Sequence, residues 1–138
     1  MAIRWDAAGF AGSSDALVAN VDVAPTIADL AGVPAPTTEG SSLGPILDGS
    51  ATSVRDSLVL EHAAVDAGGS AAPSYCGIRT VNELYVRYAK GFEEYYRYDI
   101  DPWELNNRAG RPGEAARVAE LRRAAKRACR PTPPGFSW

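Results

Sequence analysis

The sequence has few of the residues that build metal sites and disulfide frameworks. Its 138 residues include two cysteines, Cys76 and Cys129, and a single histidine, His62. A structural zinc site takes four Cys or His ligands, and a disulfide framework takes several cysteine pairs, so both classes are excluded. For the two cysteines, a single bridge and a small buried apolar Cys76 both stay open, because spacing alone sets no geometry.

Long apolar runs are also lacking. A membrane-spanning helix needs about eighteen or more consecutive apolar residues, and no stretch of the chain approaches that. The residues after Met1, AIRWDAAGF, lack the basic start and the long apolar centre of a signal peptide. We therefore expect no membrane span and no export signal in this chain.

Charge of either sign is modest in total but unevenly placed. The net charge is −3, yet residues 111–130 hold seven Arg or Lys against two acids, so the remainder is strongly acidic. No aromatic residues are interleaved with these arginines, and the acidic remainder would repel a phosphate backbone. We interpret the basic segment as a solvated helix face and expect no nucleic-acid partner.

Two short helices are predicted in the first fifty residues. In VDVAPTIADLAG, Asp22 is a candidate N-cap and Gly32 can take the left-handed conformation that ends a helix. Its apolar stripe is expected to face a core and consists of Val23, Ile27, Leu30 and Ala31. SSLGPILDG predicts the second helix, with Ser41 or Ser42 as its cap and Gly49 past its end.

The middle of the chain changes to a period of two, which is typical of strands. DSLVLEHA, YCGIRT, ELYVRYA and EEYYRYD are separated by turns and predict three or four antiparallel strands. In the third stretch, alternation places one set on one face and a second set on the other: Leu84, Val86 and Tyr88 against Tyr85, Arg87 and Ala89.

The last element, GEAARVAELRRAAKRAC, has strong helix propensity. Its apolar stripe is formed by Val118, Leu121, Ala125 and Ala128. The order of elements predicts an α+β fold in which a small antiparallel sheet of three to four strands packs with a C-terminal helix.

The stretch YDIDPWELNN, residues 98–107, suits a capped turn better than a metal loop. Asp101 is expected to accept hydrogen bonds from the following N–H groups, and Glu104 stands at the capping-box position. Trp103 and Leu105 are expected to pin the turn to the sheet. A calcium loop needs oxygen ligands at alternate positions around a glycine, and the apolar residues interrupt that pattern.

Four stretches, in this order, resemble the C-terminal end of the sulfatase family, within the alkaline-phosphatase-like superfamily. They are NVDVAPTIADLAGVPAP, GSSLGPILDG, YCGIRTVNELYVRYAKG and EEYYRYDIDPWELNN, and with the residues IRW and the terminal helix the resemblance spans roughly residues 3–128. The residues IRW at 3–5 look like the end of a strand from the family's large central sheet. The resemblance therefore implies an N-terminal strand and two short helices from the edge of a missing α/β sulfatase domain.

The resemblance also divides the chain and implies its role. Residues 1–50 look like the end of the large domain, 51–130 like the C-terminal subdomain, and 131–138 form a Pro-rich tail. Sulfatases use a formylglycine from a Cys/Ser-x-Pro-x-Arg motif and a divalent cation, commonly calcium. CGIRT lacks that proline and spacing, so we assign no catalytic residue, metal ligand or cofactor to this chain and expect it to be inactive alone.

His62 is the one candidate for a functional residue. It ends the first predicted strand before a Gly/Ala/Ser-rich loop, and in sulfatases such loops can reach the rim of the substrate pocket. An imidazole there can donate to a sulfate or a sugar hydroxyl. The alternative is a solvated histidine, or one bonded to Glu61 or to a backbone carbonyl.

The tyrosines of the last two predicted strands have two interpretations. They are either a sugar-stacking platform or cross-strand packing partners, and the set is Tyr85, Tyr88, Tyr95, Tyr96 and Tyr98. The spacing by itself favours packing.

Two functions from different classes follow. The first is a C-terminal fragment of a sulfatase that completes the fold and lines one side of the substrate entrance. Its partner is the missing N-terminal domain or, through the face that domain leaves, a second copy of the chain; Val23, Ile27 and Leu30 would then be only partly covered. The alternative is a free-standing α+β binding module without hydrolase activity.

Overall fold

The computed structural model of the chain describes residues 1–4, 6, 11–35, 37–64 and 72–138. It divides into two units, Met1–Asp56 and Ser57–Trp138. The domain boundaries predicted above, after residues 50 and 130, stay predictions. Within the described ranges, no helix has both the length and the apolar character needed to cross a bilayer.

The first unit contains short helical elements joined by loops. A 3-10 turn at Asn20–Asp22 leads into helix α1, Val23–Leu30, and helix α2 follows at Gly44–Leu47. Gly32 and Gly49 have φ angles of 66° and 78°, so each glycine follows its helix in the left-handed conformation, as expected.

Both predicted helix caps differ from the observed ones. Asp22 does occupy the N-cap position of α1, but its carboxylate makes no capping hydrogen bond. The N-cap of α2 is Leu43, and neither Ser41 nor Ser42 holds that position. The Asp22 carboxylate instead accepts the N–H of Ala19, as the N3 acid of a capping box does, and also binds Ser41 and Arg55, which local cap rules do not describe.

Those partners make Asp22 the buried polar centre of the first unit. The carboxylate is fully buried and accepts the N–H groups of Ala19 at 2.8 Å and Ser41 at 2.9 Å. Arg55 donates to both of its oxygens and also to the carbonyl of Leu17 at 3.3 Å. These guanidinium hydrogen bonds lower the pKa of Asp22 to about 2, against the opposing effect of burial.

Helix α1 buries a different face from the predicted one. The buried residues are Pro25, Thr26 and Ala28, whereas Val23 and Ile27 are 41% and 63% exposed. Thr26 decides this, because its hydroxyl donates to the carbonyl of Asp22 and accepts the N–H of Leu43. Leu30 is half-buried and Ala31 is exposed, so the predicted apolar stripe of α1 faces no core in the described part of the chain. The resemblance, in contrast to the helical pattern, implied that this stripe would be only partly buried.

The predicted N-terminal strand is not formed by residues 1–4, which have no regular structure. The remaining residue of that prediction, Trp5, lies outside the described residues. A strand needs a neighbouring strand for its N–H and C=O groups, and the described part of the first unit contains none.

The second unit is built on a four-stranded antiparallel sheet in the order β1-β2-β3-β4. The strands are Leu58–His62, Tyr75–Arg79, Glu83–Tyr88 and Glu93–Arg97. All four lie inside the stretches predicted from alternation. The α+β prediction is therefore confirmed.

The two faces of the sheet also follow the predicted alternation. One face packs under helix α3, Ala115–Ala128, and this core contains Ile78, Tyr85, Tyr95, Val118, Leu121 and Ala125. The opposite face carries a second buried cluster of Leu84, Val86 and Tyr96. Of the predicted stripe of α3, only Ala128 is exposed, because the helix ends there.

Two carboxylates of the sheet hold α3 by ion pairs. Glu93 accepts hydrogen bonds from the hydroxyl of Tyr85 at 2.6 Å and from Arg122 at 2.6 Å. Glu83 likewise binds the hydroxyl of Tyr95 and the guanidinium of Arg117. Burial would raise the pKa of Glu93, but the hydrogen bonds from Arg122 and Tyr85 outweigh it and lower the pKa to about 2. The basic helix is thus only partly a solvated face.

A disulfide closes the second unit. Cys76 in β2 and Cys129 at the end of α3 are bonded, with their Cα atoms 6.4 Å apart. Phe136 is buried against this bridge, and Trp138 packs beside it. The bridge settles the alternative that spacing left open, and residues of the Pro-rich stretch 131–138 take part in the core that surrounds it.

Candidate functional site

His62 lies at one end of a row of aromatic side chains across the sheet. It is the last residue of β1, and its cross-strand partner is Tyr75, which in turn pairs with Tyr88. The rings of His62 and Tyr75 stack at 5.5 Å between centroids, those of Tyr75 and Tyr88 meet edge-on at 5.6 Å, and Phe92 follows at 5.8 Å. We call these four residues the aromatic row.

The row occupies the face of the sheet opposite α3. Cross-strand partners share a face, and Tyr88 shares its face with Leu84 and Val86, whereas α3 packs over Tyr85. Antiparallel pairing therefore brings four side chains from three strands and one turn together at one end of the sheet. No local pattern in the sequence predicts this, because it depends on register.

The alternative in which His62 bonds to Glu61 does not fit the strand. Successive strand residues point to opposite faces, so Glu61 and His62 cannot meet side by side. Among the described residues, no group accepts or donates a hydrogen bond to the half-buried imidazole of His62. Stacking on Tyr75 orients the ring on this face of the sheet. The Gly/Ala/Ser-rich loop predicted to follow it, 65–71, lies outside the described residues.

The tyrosines divide between the two faces. Tyr85 and Tyr95 are buried under α3 as direct cross-strand partners, which confirms packing for this pair. Tyr88 lies in the aromatic row and donates its hydroxyl hydrogen to Glu94 at 3.1 Å. Burial, reinforced by the charge of Glu94, raises the pKa of Tyr88 to about 12, so this hydroxyl stays protonated and can only act as a hydrogen-bonding group.

The loop at 98–107 is held by Asp101, as predicted. Both carboxylate oxygens accept backbone N–H groups, from Leu105 at 3.0 Å and from Asn106 at 2.8 Å. No helical turn follows, however, and Glu104 has a φ of 55° instead of a capping-box conformation. Trp103 is 80% exposed and Leu105 77%, so the prediction that they pin the turn to the sheet is wrong for this chain.

The residue that joins this loop to the sheet is Asn107, which the sequence did not single out. Its side chain accepts the N–H of Tyr95 at 3.1 Å and donates to the carbonyl of Glu93 at 2.9 Å. An amide side chain can satisfy the open edge of a strand in this way because it carries both a donor and an acceptor. Asn107 therefore closes the free edge of β4 beside it.

Tyr98 and Arg79 form a smaller polar group near this loop. Arg79 donates to the hydroxyl of Tyr98 at 2.8 Å, and that hydroxyl donates to Glu104 at 2.9 Å. Burial, with help from the hydrogen bond to Glu104, raises the pKa of Tyr98 to about 12. The donors and acceptors of this group are largely used by one another.

Two other features of the described residues bear on chemistry. An open pocket of about 830 Å³ in the first unit lies between the N-terminal residues and α2, and its charged lining residues are Arg4 and Asp6, which bind each other at 2.8 Å. In the part of the chain that the structure describes, no three His, Cys, Asp or Glu side chains are placed to hold a metal ion. The aromatic row with His62 thus remains the candidate site, and its chemistry is that of binding.

The chain matches a known family over nearly its whole length. Residues 1–129 match the family described as N-sulphoglucosamine sulphohydrolase, C-terminal. The chain therefore belongs to this family of sulfatase C-terminal domains. Its resemblance to the C-terminal end of sulfatases is confirmed, and a module unrelated to these hydrolases is not supported.

A curated relative and two solved structures show the same relationship. An N-acetylglucosamine-6-O-sulfatase of Bacteroides thetaiotaomicron is 34% identical over 125 residues, which cover 86% of this chain and 22% of the relative. A structure solved in complex with its substrate, D-glucosamine-2-N,6-O-disulfate, matches with a TM-score of 0.70 and 28% identity, over 80% of this chain and 23% of that one.

The second structure is the phosphonate monoester hydrolase of Agrobacterium radiobacter, which matches with a TM-score of 0.63 and 27% identity over 78% of this chain and 24% of that one. The chain thus spans about a fifth to a quarter of the length of these relatives. Since the fold occurs in enzymes for different esters, it does not by itself specify the ester.

Proposed function

We propose that this chain acts as the C-terminal part of a sulfatase for sulfated amino sugars, completing the fold and lining one side of the substrate entrance. The observation that carries this is the family match over residues 1–129, together with the sulfated glucosamines named for two relatives. The partner it requires is an N-terminal sulfatase domain that bears the reacting groups.

Formylglycine and a divalent cation would belong to that partner domain. Both cysteines of this chain, Cys76 and Cys129, are buried and bonded to each other, so neither sulfur is free for conversion to formylglycine. Among the described carboxylates with lowered pKa, Asp22, Glu83 and Glu93 are occupied by arginines, and Asp48 accepts the N–H of Ser50. The residues that the structure describes do not fit either cofactor, and we assign them no hydrolytic step.

In this function, the aromatic row contacts the sugar. An imidazole fixed by stacking on Tyr75 can donate to a sugar hydroxyl or a sulfate oxygen without first losing rotamer freedom. Ring faces suit the apolar C–H surface of a pyranose, and Phe92, 59% exposed at the end of the row, offers such a face. His62 is then a substrate-binding residue, and its loss should weaken binding more than turnover.

A chimera tests this proposal. The matching C-terminal segment of the Bacteroides N-acetylglucosamine-6-O-sulfatase is replaced by the full 138-residue chain, which keeps Phe136 and Trp138 in the core around the disulfide, and hydrolysis of N-acetylglucosamine 6-sulfate is measured. We expect activity in the chimera and none in the same enzyme truncated before the segment. His62→Ala should raise KM by about tenfold with a smaller change in kcat, because it removes binding rather than chemistry.

The matched control is Glu61→Ala, the neighbouring strand residue on the opposite face, which should leave KM within about twofold. His62→Gln, which keeps a donor, should restore part of the loss. Equal KM values for the His62 and Glu61 variants would remove His62 from the substrate entrance. A folded but inactive chimera would count against the proposed role as a whole.

The coding DNA upstream of Met1 gives an independent test. A reading frame with Cys/Ser-x-Pro-x-Arg and metal-binding acids next to this chain is expected. If the chain instead acts with a second copy of itself, analytical ultracentrifugation will show concentration-dependent self-association that an added N-terminal domain does not reverse.

A further inference from the structure

Helix α3 carries a line of exposed cations on the side away from the sheet. Arg123, Lys126 and Arg127 are spaced three and four residues apart, which places them on one side of the helix, and the exposed Arg130 follows just past the helix end. On the helical wheel, this side is opposite Val118, Leu121 and Ala125, the residues buried against the sheet. We call these four residues the basic stripe.

The two other arginines of α3, Arg117 and Arg122, each have a carboxylate partner, as does Arg108 before the helix. Arg117 binds Glu83 and Glu120, Arg122 binds Glu93, and Arg108 binds Glu114. For the basic stripe, no carboxylate of the described residues lies within ion-pair distance. Positive charge on α3 is therefore neutralised where it faces the sheet and is left uncompensated where it faces solvent.

Stability of the helix accounts for only part of the stripe. Lys126 and Arg127 lie in the last turn, where the helix dipole favours cations, and Arg130 donates to the carbonyl of Lys126 at 3.3 Å. Arg123 lies outside that turn. Like charges spaced three or four residues apart destabilise a helix by a few tenths of a kcal/mol per pair. Opposite charges at the same spacing stabilise it by about 0.2–0.5 kcal/mol. A local rule is broken with no structural gain, which is typical of a binding surface.

We infer that the basic stripe docks a sulfated polysaccharide at a stretch of its chain outside the substrate entrance. This inference rests on the proposed function, in which the substrate is a sulfated sugar. Sulfate half-esters keep their charge across the physiological pH range, and a guanidinium can bind two of their oxygens at once. The helical part of the stripe, residues 123–127, spans about 6 Å along the helix axis, and Arg130 follows past the helix end, so the stripe presents several cations to one extended polyanion.

Nucleic acid fits this surface less well. The stripe has no aromatic side chain on which bases could stack, and a duplex would bring a second charged strand over the acidic remainder of the chain. A single flexible polysaccharide can follow the narrow line of cations without covering more of the surface.

The test uses the 138-residue chain with heparin, a sulfated glycosaminoglycan, as the probe, and needs no turnover. In the variant R123Q/K126Q/R127Q, glutamine keeps helix propensity and Arg130 keeps its hydrogen bond. The matched control R4Q/K90Q/R111Q removes the same charge from exposed positions outside the stripe. Affinity is measured by titration over a range of salt concentrations, and circular dichroism confirms the fold.

We expect the stripe variant to bind heparin about tenfold or more weakly and with a shallower salt dependence, because fewer counterions are released. The control should stay within about twofold of the unmodified chain. No heparin binding at low salt, or equal losses in the two variants, would overturn the inference, since the effect would then be one of net charge. Equal affinity for duplex DNA, lost in parallel, would also overturn it.

These results are separable from the proposed function. Heparin binding is measured on the chain alone, whereas the substrate entrance is tested by KM in the chimera. Loss of heparin binding with an unchanged chimera KM would support the stripe as a site of its own.

Discussion

Different interactions stabilise each of the two units of the chain. In the described residues, the first unit has three buried apolar residues, Leu17, Ala28 and Leu43, and the second has twelve. The first is centred on a buried ion pair between Asp22 and Arg55, whereas the second has two apolar clusters, a four-stranded sheet and a disulfide.

The contrast indicates which part of the chain can hold its own fold. Burying apolar surface contributes in proportion to area, but a buried ion pair has to offset the cost of removing two charges from water. We therefore expect residues 1–32 to exchange their amide hydrogens much faster than the sheet at 84–98. The exposed stripe of α1, Val23 and Ile27, agrees with a unit that leaves part of its apolar surface uncovered.

The largest effect is expected from removal of the disulfide, which should bring the stability of the second unit closer to that of the first. Cys76→Ala with Cys129→Ala opens a loop of 53 residues, which should destabilise the second unit by about 4 kcal/mol through the entropy of the unfolded chain. Exchange at 75–98 should accelerate while that at 17–47 stays the same. Reductant should reproduce the shift in the unmodified chain only, and two free thiols in the unfolded, unreduced protein would contradict the bridge.

Asp22→Asn should destabilise the first unit and so increase the difference in stability between the two units. The substitution leaves Arg55 charged and 12% exposed, without its counter-charge and with one of its three hydrogen bonds lost, so we expect a loss of about 3 kcal/mol confined to the first unit. The double variant with Arg55→Gln removes both charges and should recover part of it. Asp6→Asn breaks the exposed pair with Arg4 and should change stability by less than about 0.5 kcal/mol; a loss equal to that of Asp22→Asn would deny Asp22 its central role.

Lowering the pH should also increase the difference in stability between the two units. The pKa of Asp22 is about 2 in the folded chain, below the usual 3.9 or so of an unfolded Asp, so its contribution is present above that higher value and is lost as pH falls toward 2. The loss is about 2 kcal/mol between roughly pH 5 and pH 2. The pKa of Glu93 is lowered as well, but the second unit is also stabilised by its apolar clusters and its disulfide. Exchange corrected for intrinsic rates should therefore show 17–47 opening first, and Asp22→Asn should flatten this dependence.

The smallest effect concerns the loop beside β4. Asp101→Ala removes the acceptor of two backbone N–H groups and should cost about 1 kcal/mol, seen as faster exchange at 101–107. Asp101→Asn keeps one oxygen acceptor and should cost less. Calorimetry that detected calcium binding in the unmodified chain, lost in the alanine variant, would instead make this loop a metal site.

Some features of the chain follow from short-range pattern alone. Alternation placed Leu84 and Tyr85 on opposite faces, and the stripe of Val118, Leu121 and Ala125 placed α3, because side-chain direction in a strand or helix is set by backbone period. Gly32 and Gly49 marked helix ends because other residues are strained at positive φ. The four sequence stretches, in their order along the chain, also identified the family, because each of them reflects the local geometry of a helix, a strand or a turn.

Other features required the tertiary structure, because they join residues that no local period relates. Arg55 reaches Asp22 across 33 positions, and that pairing, with Thr26, decides which side of α1 is buried. The register of three strands brings His62, Tyr75 and Tyr88 into one row, and folding brings Cys76 to Cys129. The sequence by itself thus determined the period and the direction of each element, whereas partners between elements were decided only when the chain was packed, because a hydrogen bond or a disulfide depends on distance in space.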